Sequence, residues 1–287
     1  KFSGHTPIVR ETEHFFLDLA QFNEPLKEWA SSKDYWRPSV RNFTLNLLQE
    51  GLRGRAITRD IEWGIPVPVP GYEGKRIYVW FDAVIGYLAA SKEWSLVQGD
   101  DDAWHAWWDE DQPARSFYFI GKDNIFFHTL IWPAMLLGYG GLMLPYDVPA
   151  NEYLTLEGRK ISSSRNWAVW APDYLSRYDP DPLRYYLTVH APETSDSDFS
   201  WQEFLDRNNN ELVGTWGNLA HRMLSFAYKN FEGQVPTPGD LTAEDQAIIQ
   251  RMEEAFEPVG ELIAGVKLRA ALSEVMGLAR EANRYLD

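Results

Sequence analysis

Two apolar runs constrain the fold of this chain more than any other feature. Arg76-Ile77-Tyr78-Val79-Trp80-Phe81-Asp82 and Arg115-Ser116-Phe117-Tyr118-Phe119-Ile120-Gly121 are each unbroken by polar alternation and each followed by a helix-like segment. Continuous apolar runs of this length read as strands buried on both faces, the condition of a parallel sheet. The middle of the chain is therefore expected to hold βαβ units of an open α/β sheet, whose ligands sit beyond the carboxyl ends of the strands. A proline-punctuated stretch, Gly64 to Pro70, predicts an extended connector before the first run.

The first seventy residues are mixed, with an apolar cluster Phe15-Phe16-Leu17 and a helix-like stretch from Val40 to Leu52. Beyond about residue 160 the pattern turns helical. Asp179-Pro180-Asp181-Pro182 predicts a helix start, and Ser200-Trp201-Gln202-Glu203 has the form of a capping box. A loop is expected from Glu232 to Gly239. Ile248, Met252 and Phe256 recur at four-residue spacing, which predicts one buried face. The last third reads as a helix bundle, with a boundary near 200.

Composition narrows the chemistry. With 287 residues, 45% of them hydrophobic, the chain has ample material for buried cores. It contains no cysteine, which excludes disulfides, thiolate zinc knuckles and a cysteine nucleophile within it. Six scattered histidines show no metal-ligand spacing. A net charge of -15 argues against a general nucleic-acid-coating surface but leaves room for a localised RNA site. The longest apolar stretch, Ile125 to Gly138, is short for a bilayer and carries His128 and Pro133, and no signal-peptide pattern opens the chain. A cytoplasmic protein without membrane contact is expected.

Four sets of residues have the makings of sites. Arg159-Lys160-Ile161-Ser162-Ser163-Ser164-Arg165 follows a strand-like run and Gly158, and its cations and small hydroxyls suit a grip on phosphate oxygens. A solvated basic loop would have the same composition. Asp123, after Gly121-Lys122, stands where a carboxylate accepts hydrogen bonds from ribose hydroxyls, and equally where an Asp caps the next helix. His128 and Trp132 share a helix face with Asn124, and Trp80, Ala83 and Tyr87 end the other apolar run. Together they would line an aromatic cavity for a small apolar ligand such as a thioether, or they would simply be core. Asn218 and Arg222, one turn apart, suit either unpaired bases or a solvated face.

In this order the motifs resemble the methionyl-tRNA synthetase family of class I aminoacyl-tRNA synthetases. The likeness rests on Tyr78-Val79-Trp80-Phe81-Asp82-Ala83-Val84-Ile85-Gly86-Tyr87, on the stretch Phe119 to Pro133, on the Lys160 to Ser164 loop and on Trp216-Gly217-Asn218-Leu219. It extends over essentially the whole chain, including Arg10 to Leu19. It implies a Rossmann-type catalytic domain followed by an all-α anticodon-binding bundle. The implied divisions are the end of a connective insertion and linker (1–72), the second half of the catalytic domain (73–150), a stem-contact region with the signature loop (151–200) and an incomplete helical domain (201–287).

By the same resemblance, Trp80, Ala83, Tyr87, His128 and Trp132 hold methionine, and Gly121 and Asp123 hold the ATP ribose. Lys160, Ser162, Ser163 and Ser164 serve catalysis at the triphosphate of Mg2+-bound ATP, and Asn218 and Arg222 face the anticodon of tRNA(Met). The implied reaction is methionine-tRNA ligation through methionyl-adenylate. Departures are visible: Ser163 stands where the family commonly carries a second lysine, Val84 where proline is frequent, and Asn124 where an apolar residue often sits. The His-x-Gly-His motif does not occur, and His5 is no substitute. The cysteines that bind zinc in the family's insertion are absent as well, so Zn2+ is expected only in a longer protein. The resemblance implies a fragment, inactive alone.

Overall fold

The protein is described here by a computed structural model that covers Val9 and residues 11–287. His5 and Arg10, singled out above, lie outside the described residues. The chain divides into two compact units, Lys1–Ala150 and Asn151–Asp287. The segment 151–200 belongs to the same unit as the helices that follow it.

In the first unit Phe16–Leu17 pairs antiparallel with Arg55–Ala56, and Thr58–Arg59 pairs antiparallel with Arg76–Ile77. The helix expected near Val40 spans Pro38–Glu50, with proline in its first turn where no amide donor is needed. Its buried residues, Val40, Thr44 and Leu48, repeat every fourth position. The second apolar run is extended, with the amides of Tyr118 and Ile120 donating to the carbonyls of Asp147 and Pro149 and Phe117 bridging Asp147 in parallel, but it is buried on one face only, since Tyr118 is covered while Phe117 and Phe119 are exposed.

The first run is not a strand beyond Ile77. Val79–Ala83 is a helix, begun by the Phe81 and Asp82 amides donating to the Tyr78 carbonyl. Val79 and Trp80 are exposed, as are Phe117 and Phe119 of the second run, so neither run has two-sided cover; the second is held extended by its backbone bonds to Asp147 and Pro149. An apolar run of this length is compatible with either geometry. Trp80, Ala83 and Tyr87 thus stand on the helices Val79–Ala83 and Gly86–Gln98 rather than at a strand's end.

The core of this unit gathers Leu19, Leu26, Val40, Leu48, Leu130, Trp132 and Val148. Two buried hydroxyls sit inside it. Thr129 Oγ1 donates to the Ile125 carbonyl and lies 2.9 Å from Thr44 Oγ1, which also reaches the Val40 carbonyl, so neither is left unsatisfied.

In the second unit Leu154–Leu156 runs parallel to Ser197–Phe199 and antiparallel to Arg159–Lys160. The crossover carries the helices Ala171–Leu175 and Pro180–Val189, the latter beginning after Asp179 as the prolines predict. Leu156, Tyr174, Tyr186, Phe199 and Phe204 form the core beneath them. Ser200 caps Trp201–Arg207, accepting from the Glu203 amide, but Glu203 turns its carboxylate to Arg207 and His190 and leaves the box half made. The reciprocal capping box belongs to Thr242 and Asp245.

Residues 208–217 form a wide helix with i→i+5 turns that leads into Asn218–Phe231. Three more helices follow: Ala243–Glu254, Phe256–Ala264 and Leu268–Tyr285. The face predicted from Ile248, Met252 and Phe256 does not form as one buried stripe. The helix breaks at Ala255, and Phe256 opens the next helix at 80% exposure.

Candidate functional site

Four of the expected pocket residues converge in the first unit. Gly86–Gln98 brings Tyr87 to the face of the segment that runs from Lys122 to Tyr139. Tyr87 Oη lies 2.8 Å from His128 Nε2, and the rings of Tyr87 and Trp132 are 6.3 Å apart. Trp80 stacks on Phe127 at 5.3 Å, next to His128 in the chain. His128 lies in a single wide turn, Phe127–Ile131, of the kind that recurs at functional sites. Ala83 is exposed on the Trp80 helix.

The hydrogen bonds assign the protons. His128 Nδ1 is 2.9 Å from the Asn124 carbonyl, which only accepts, so Nδ1 carries the hydrogen and Nε2 accepts from the Tyr87 hydroxyl. Burial holds the His128 pKa below its ordinary value, against a smaller opposing effect of the Asn124 bond. The imidazole is therefore neutral at pH 7. Trp132 Nε1 donates to Tyr118 Oη at 2.9 Å, and burial raises the Tyr118 and Tyr87 phenols above their usual range. Every polar tip of the cluster is uncharged and directed.

Tyr118 was not singled out from sequence, although it sets Trp132 and meets Tyr87 edge to face at 5.0 Å. It sits on the inward side of an expected strand, which is the signal that marks it. Of the two departures near this pocket, Val84 is buried in the core, and Asn124 contributes its backbone carbonyl, a role any side chain permits. Cluster faces are graded: Trp132 and His128 are buried, whereas Trp80 and Tyr87 are each 41% exposed. The exposed edge is where a ligand can enter.

Gly121 ends the extended run, and Asp123 follows in the tight turn Lys122–Asn124. Both are exposed, and a Cβ on Gly121 would meet nothing within 4 Å, so open space adjoins the backbone there. Asp123 is the second residue of this turn, whose N-cap position is held by Gly121.

In the second unit the basic loop is a hairpin with a fixed frame. Glu157 and Gly158 both have positive φ, 50° and 70°, as a two-residue hairpin turn demands. Asp198 accepts from the Gly158 amide at 2.8 Å and from the Thr155 hydroxyl. Ser162 and Trp167 exchange two backbone hydrogen bonds of 2.9 Å, closing a turn over Ser163–Arg165 with Asn166 in the left-handed region. Trp167 Nε1 donates to the Leu156 carbonyl at 3.0 Å, and the Arg159 guanidinium lies over its ring at 4.0 Å. Trp167 was missed in the sequence, where nothing distinguishes it from other tryptophans in aromatic-rich surroundings.

This frame sorts the three cations. Arg159 is committed to Trp167, whereas Lys160 and Arg165 are exposed and have no partner among the described residues. Ser162 Oγ and Ser164 Oγ are 3.2 Å apart, and Ser163 and Ser164 are exposed beside them. The loop is a rigid turn that presents hydroxyls and one or two free positive charges, an arrangement suited to a polyphosphate.

Asn218 and Arg222 are drawn elsewhere. Asn218 Nδ2 donates to Asn283 Oδ1 at 3.1 Å, and Arg222 reaches the carbonyls of Asn283 and Leu286 and the carboxylate of Asp287. Among the described residues no three His, Asp or Glu side chains converge as metal ligands.

The family described as "tRNA synthetases class I (M)" matches residues 1–224. The chain is 57% identical to the methionine–tRNA ligase of Thermomicrobium roseum over 285 residues and 61% identical to that of Roseiflexus castenholzii over 292. In each case it covers 99% of itself and 49% of the relative, so it spans about half the length of the curated relatives it matches. Among solved structures, Mycobacterium tuberculosis methionyl-tRNA synthetase bound by methionyl-adenylate superposes with a TM-score of 0.83 at 27% identity, covering 99% of this chain and 54% of that one. A class I catalytic fold with parallel pairing and a helical C-terminal part is common to them, and the chain belongs to the class I tRNA synthetases, family (M).

Proposed function

We propose that the chain carries the methionine-binding and triphosphate-binding residues of a methionine–tRNA ligase. The observation that supports this most is the neutral, aromatic-walled cluster of Trp80, Tyr87, His128 and Trp132, held in place by Tyr118 and the Asn124 carbonyl. A thioether is polarizable and uncharged, and it packs against ring edges without needing a counter-charge. Ala83, exposed on the Trp80 helix, is assigned to the side chain's stem.

In this reading the methionine carboxylate oxygen attacks the α-phosphorus of ATP. The bond from that phosphorus to the bridging oxygen breaks, and its electron pair leaves with pyrophosphate. The terminal adenosine hydroxyl of tRNA(Met) then attacks the acyl carbon, releasing AMP. No side-chain nucleophile is required, so the protein supplies position and charge stabilisation. Gly121 and Asp123 are assigned to the ribose of ATP. Lys160, with Arg165 as the other uncommitted cation, is assigned to charge that builds on the phosphates, and Ser162, Ser163 and Ser164 to hydrogen bonds with them. With Arg159 tied to Trp167, the absence of a lysine at 163 leaves Lys160 the main cation of the loop.

Mg2+ accompanies ATP and shields its phosphates. Zinc, in this reading, belongs to an insertion outside these residues. The compartment is the cytoplasm, where translation takes place, and among the described residues no helix is long and apolar enough to cross a membrane. Assigning Asn218 and Arg222 to the anticodon requires their bonds to Asn283, Leu286 and Asp287 to be exchanged for RNA contacts.

The test is ATP–pyrophosphate exchange by the full-length protein with a panel of amino acids. Exchange stimulated by methionine far more than by leucine, isoleucine or valine is expected. Equal stimulation by an aliphatic amino acid would point to a different class I specificity, and tRNA binding without any exchange would point to a non-catalytic tRNA-binding module.

A further inference from the structure

We infer that the cavity between the helices Pro180–Val189 and Leu268–Tyr285 is a docking track for RNA backbone phosphates, with Arg269 and Arg280 as its contacts. This inference rests on the tRNA reading above but concerns a site that none of the motifs assigns. The cavity measures about 340 Å³, and its lining includes three arginines, Arg207, Arg269 and Arg280, in a chain whose net charge is -15.

The three arginines differ in what already engages them. Arg207 is neutralised, at 3.3 Å from Glu203 and 2.8 Å from Glu211. Both oxygens of Glu211 are in use, one by Arg207 and the other by the Tyr185 hydroxyl at 2.6 Å, and His190 lies 2.8 Å from Glu203. The carboxylates of the floor are thus tied down by their own partners. Arg269 gives only its backbone amide to a carboxylate, that of Glu193 at 3.2 Å, and among the described residues neither its guanidinium nor that of Arg280 has an ion-pair partner. Among the described residues, two guanidiniums without an ion-pair partner thus flank a floor in which Arg207 bridges two carboxylates.

Their spacing selects the ligand. Arg269, Ser273, Met276 and Arg280 fall on one stripe of the Leu268–Tyr285 helix and all line the cavity. Eleven residues of helix separate the two arginines by roughly 16 Å along the axis. One small anion does not span that distance, whereas a nucleic-acid strand lying along the helix offers successive phosphates to both. Tyr185 is buried and offers no ring face for a base, so the contact reads no sequence.

The test uses the full-length protein, the double variant Arg269→Gln/Arg280→Gln and the charge-retaining pair Arg269→Lys/Arg280→Lys. Binding of tRNA(Met) and of a non-cognate tRNA is measured across a salt series, beside methionine-dependent pyrophosphate exchange. Each lost phosphate contact lowers the slope of log affinity against log salt by about 0.7 to 0.9, which is roughly five- to eightfold in affinity near 0.1 M salt. The Gln pair is expected to lose this for both tRNAs with exchange unchanged, and the Lys pair to keep most of it. A Gln pair with wild-type affinity and slope overturns the inference alone; a wild type that binds no tRNA overturns the functional reading and the inference together. If the Gln pair also loses exchange or melts early, the Lys pair decides, because a folded Lys pair with reduced affinity at wild-type salt slope overturns a charge-based contact. Inorganic phosphate is added at matched ionic strength; if it binds the wild type but not the Gln pair while leaving tRNA affinity unchanged, the cavity takes free phosphate and the RNA assignment fails.

Discussion

The aromatic cluster of the first unit and the basic hairpin of the second solve opposite problems. In the cluster, the polar tips of Tyr87, His128 and Trp132 are spent on one another, on Tyr118 or on the Asn124 carbonyl, so a ligand meets a neutral wall of fixed shape. In the hairpin, the backbone is fixed by Asp198 and Trp167, while Lys160 and Arg165 have no partners among the described residues. An apolar side chain is best recognised by shape in a dry pocket, and a polyphosphate by charges that nothing else has neutralised. Rigidity serves both, but it is placed in the side chains in one case and in the backbone in the other.

The comparison breaks most visibly at Trp132. Its ring is 2% exposed and touches Tyr87 and Trp108, so Trp132→Ala should cost about 3–5 kcal/mol of stability. Chemical denaturation followed by a probe in the first unit measures this, and a loss below about 1 kcal/mol would mean that the cluster is not packed as described. Trp167→Ala should cost less, about 2 kcal/mol, because the residue is only half-buried. Its larger consequence is local: the turn over Ser163–Arg165 loosens, and limited proteolysis should cut there faster than in wild type.

A smaller effect concerns pH. Burial holds the folded-state pKa of His128 below the value of about 6.5 expected for an unfolded chain. Above that value the ring is neutral in both states and its contribution is fully present. As pH falls through the unfolded value and on through the depressed folded one, the unfolded chain takes up a proton that the folded ring resists, and stability is lost. His190 in the second unit is depressed likewise, chiefly by burial, so both units should weaken in this window. His128→Gln should flatten the acid dependence of the first unit and leave that of the second. An unchanged profile in the first unit would show that His128 is not buried as a neutral donor and acceptor.

Much of this was legible beforehand, for reasons that differ by region. The Asp179-Pro180 helix start and the Lys160 loop were readable because proline, glycine and clustered cations act locally. His128 and Trp132 were readable because residues four apart stay on neighbouring positions of a helical segment, here even across the wide turn Phe127–Ile131. The strand expected through Tyr78 to Asp82 was not, because its geometry depends on which backbone partners it meets, and that is decided by distant parts of the chain. The same limit hid Tyr118 and Trp167, whose roles come from partners fourteen and eleven residues away in the chain. Phe256 failed for a local reason that the sequence does carry: Pro258 has no amide to donate to the Glu254 carbonyl, and the helix breaks at Ala255. Asn218 and Arg222 were placed correctly as neighbours one turn apart, but their partners near residue 283 were beyond what spacing can show.

The division of labour between the cluster and the hairpin is tested most directly by comparing Lys160→Ala with Tyr87→Phe in the full-length protein by methionine-dependent ATP–pyrophosphate exchange. Lys160→Ala should lower kcat by about 10²–10³ with little change in the KM for methionine, as expected for a charge that acts on the transition state. Tyr87→Phe leaves His128 Nε2 without its donor, a loss of about 1 kcal/mol, and should raise the methionine KM several-fold while kcat changes little. The opposite pattern, with Lys160→Ala acting on the methionine KM and Tyr87→Phe on kcat, would contradict the account.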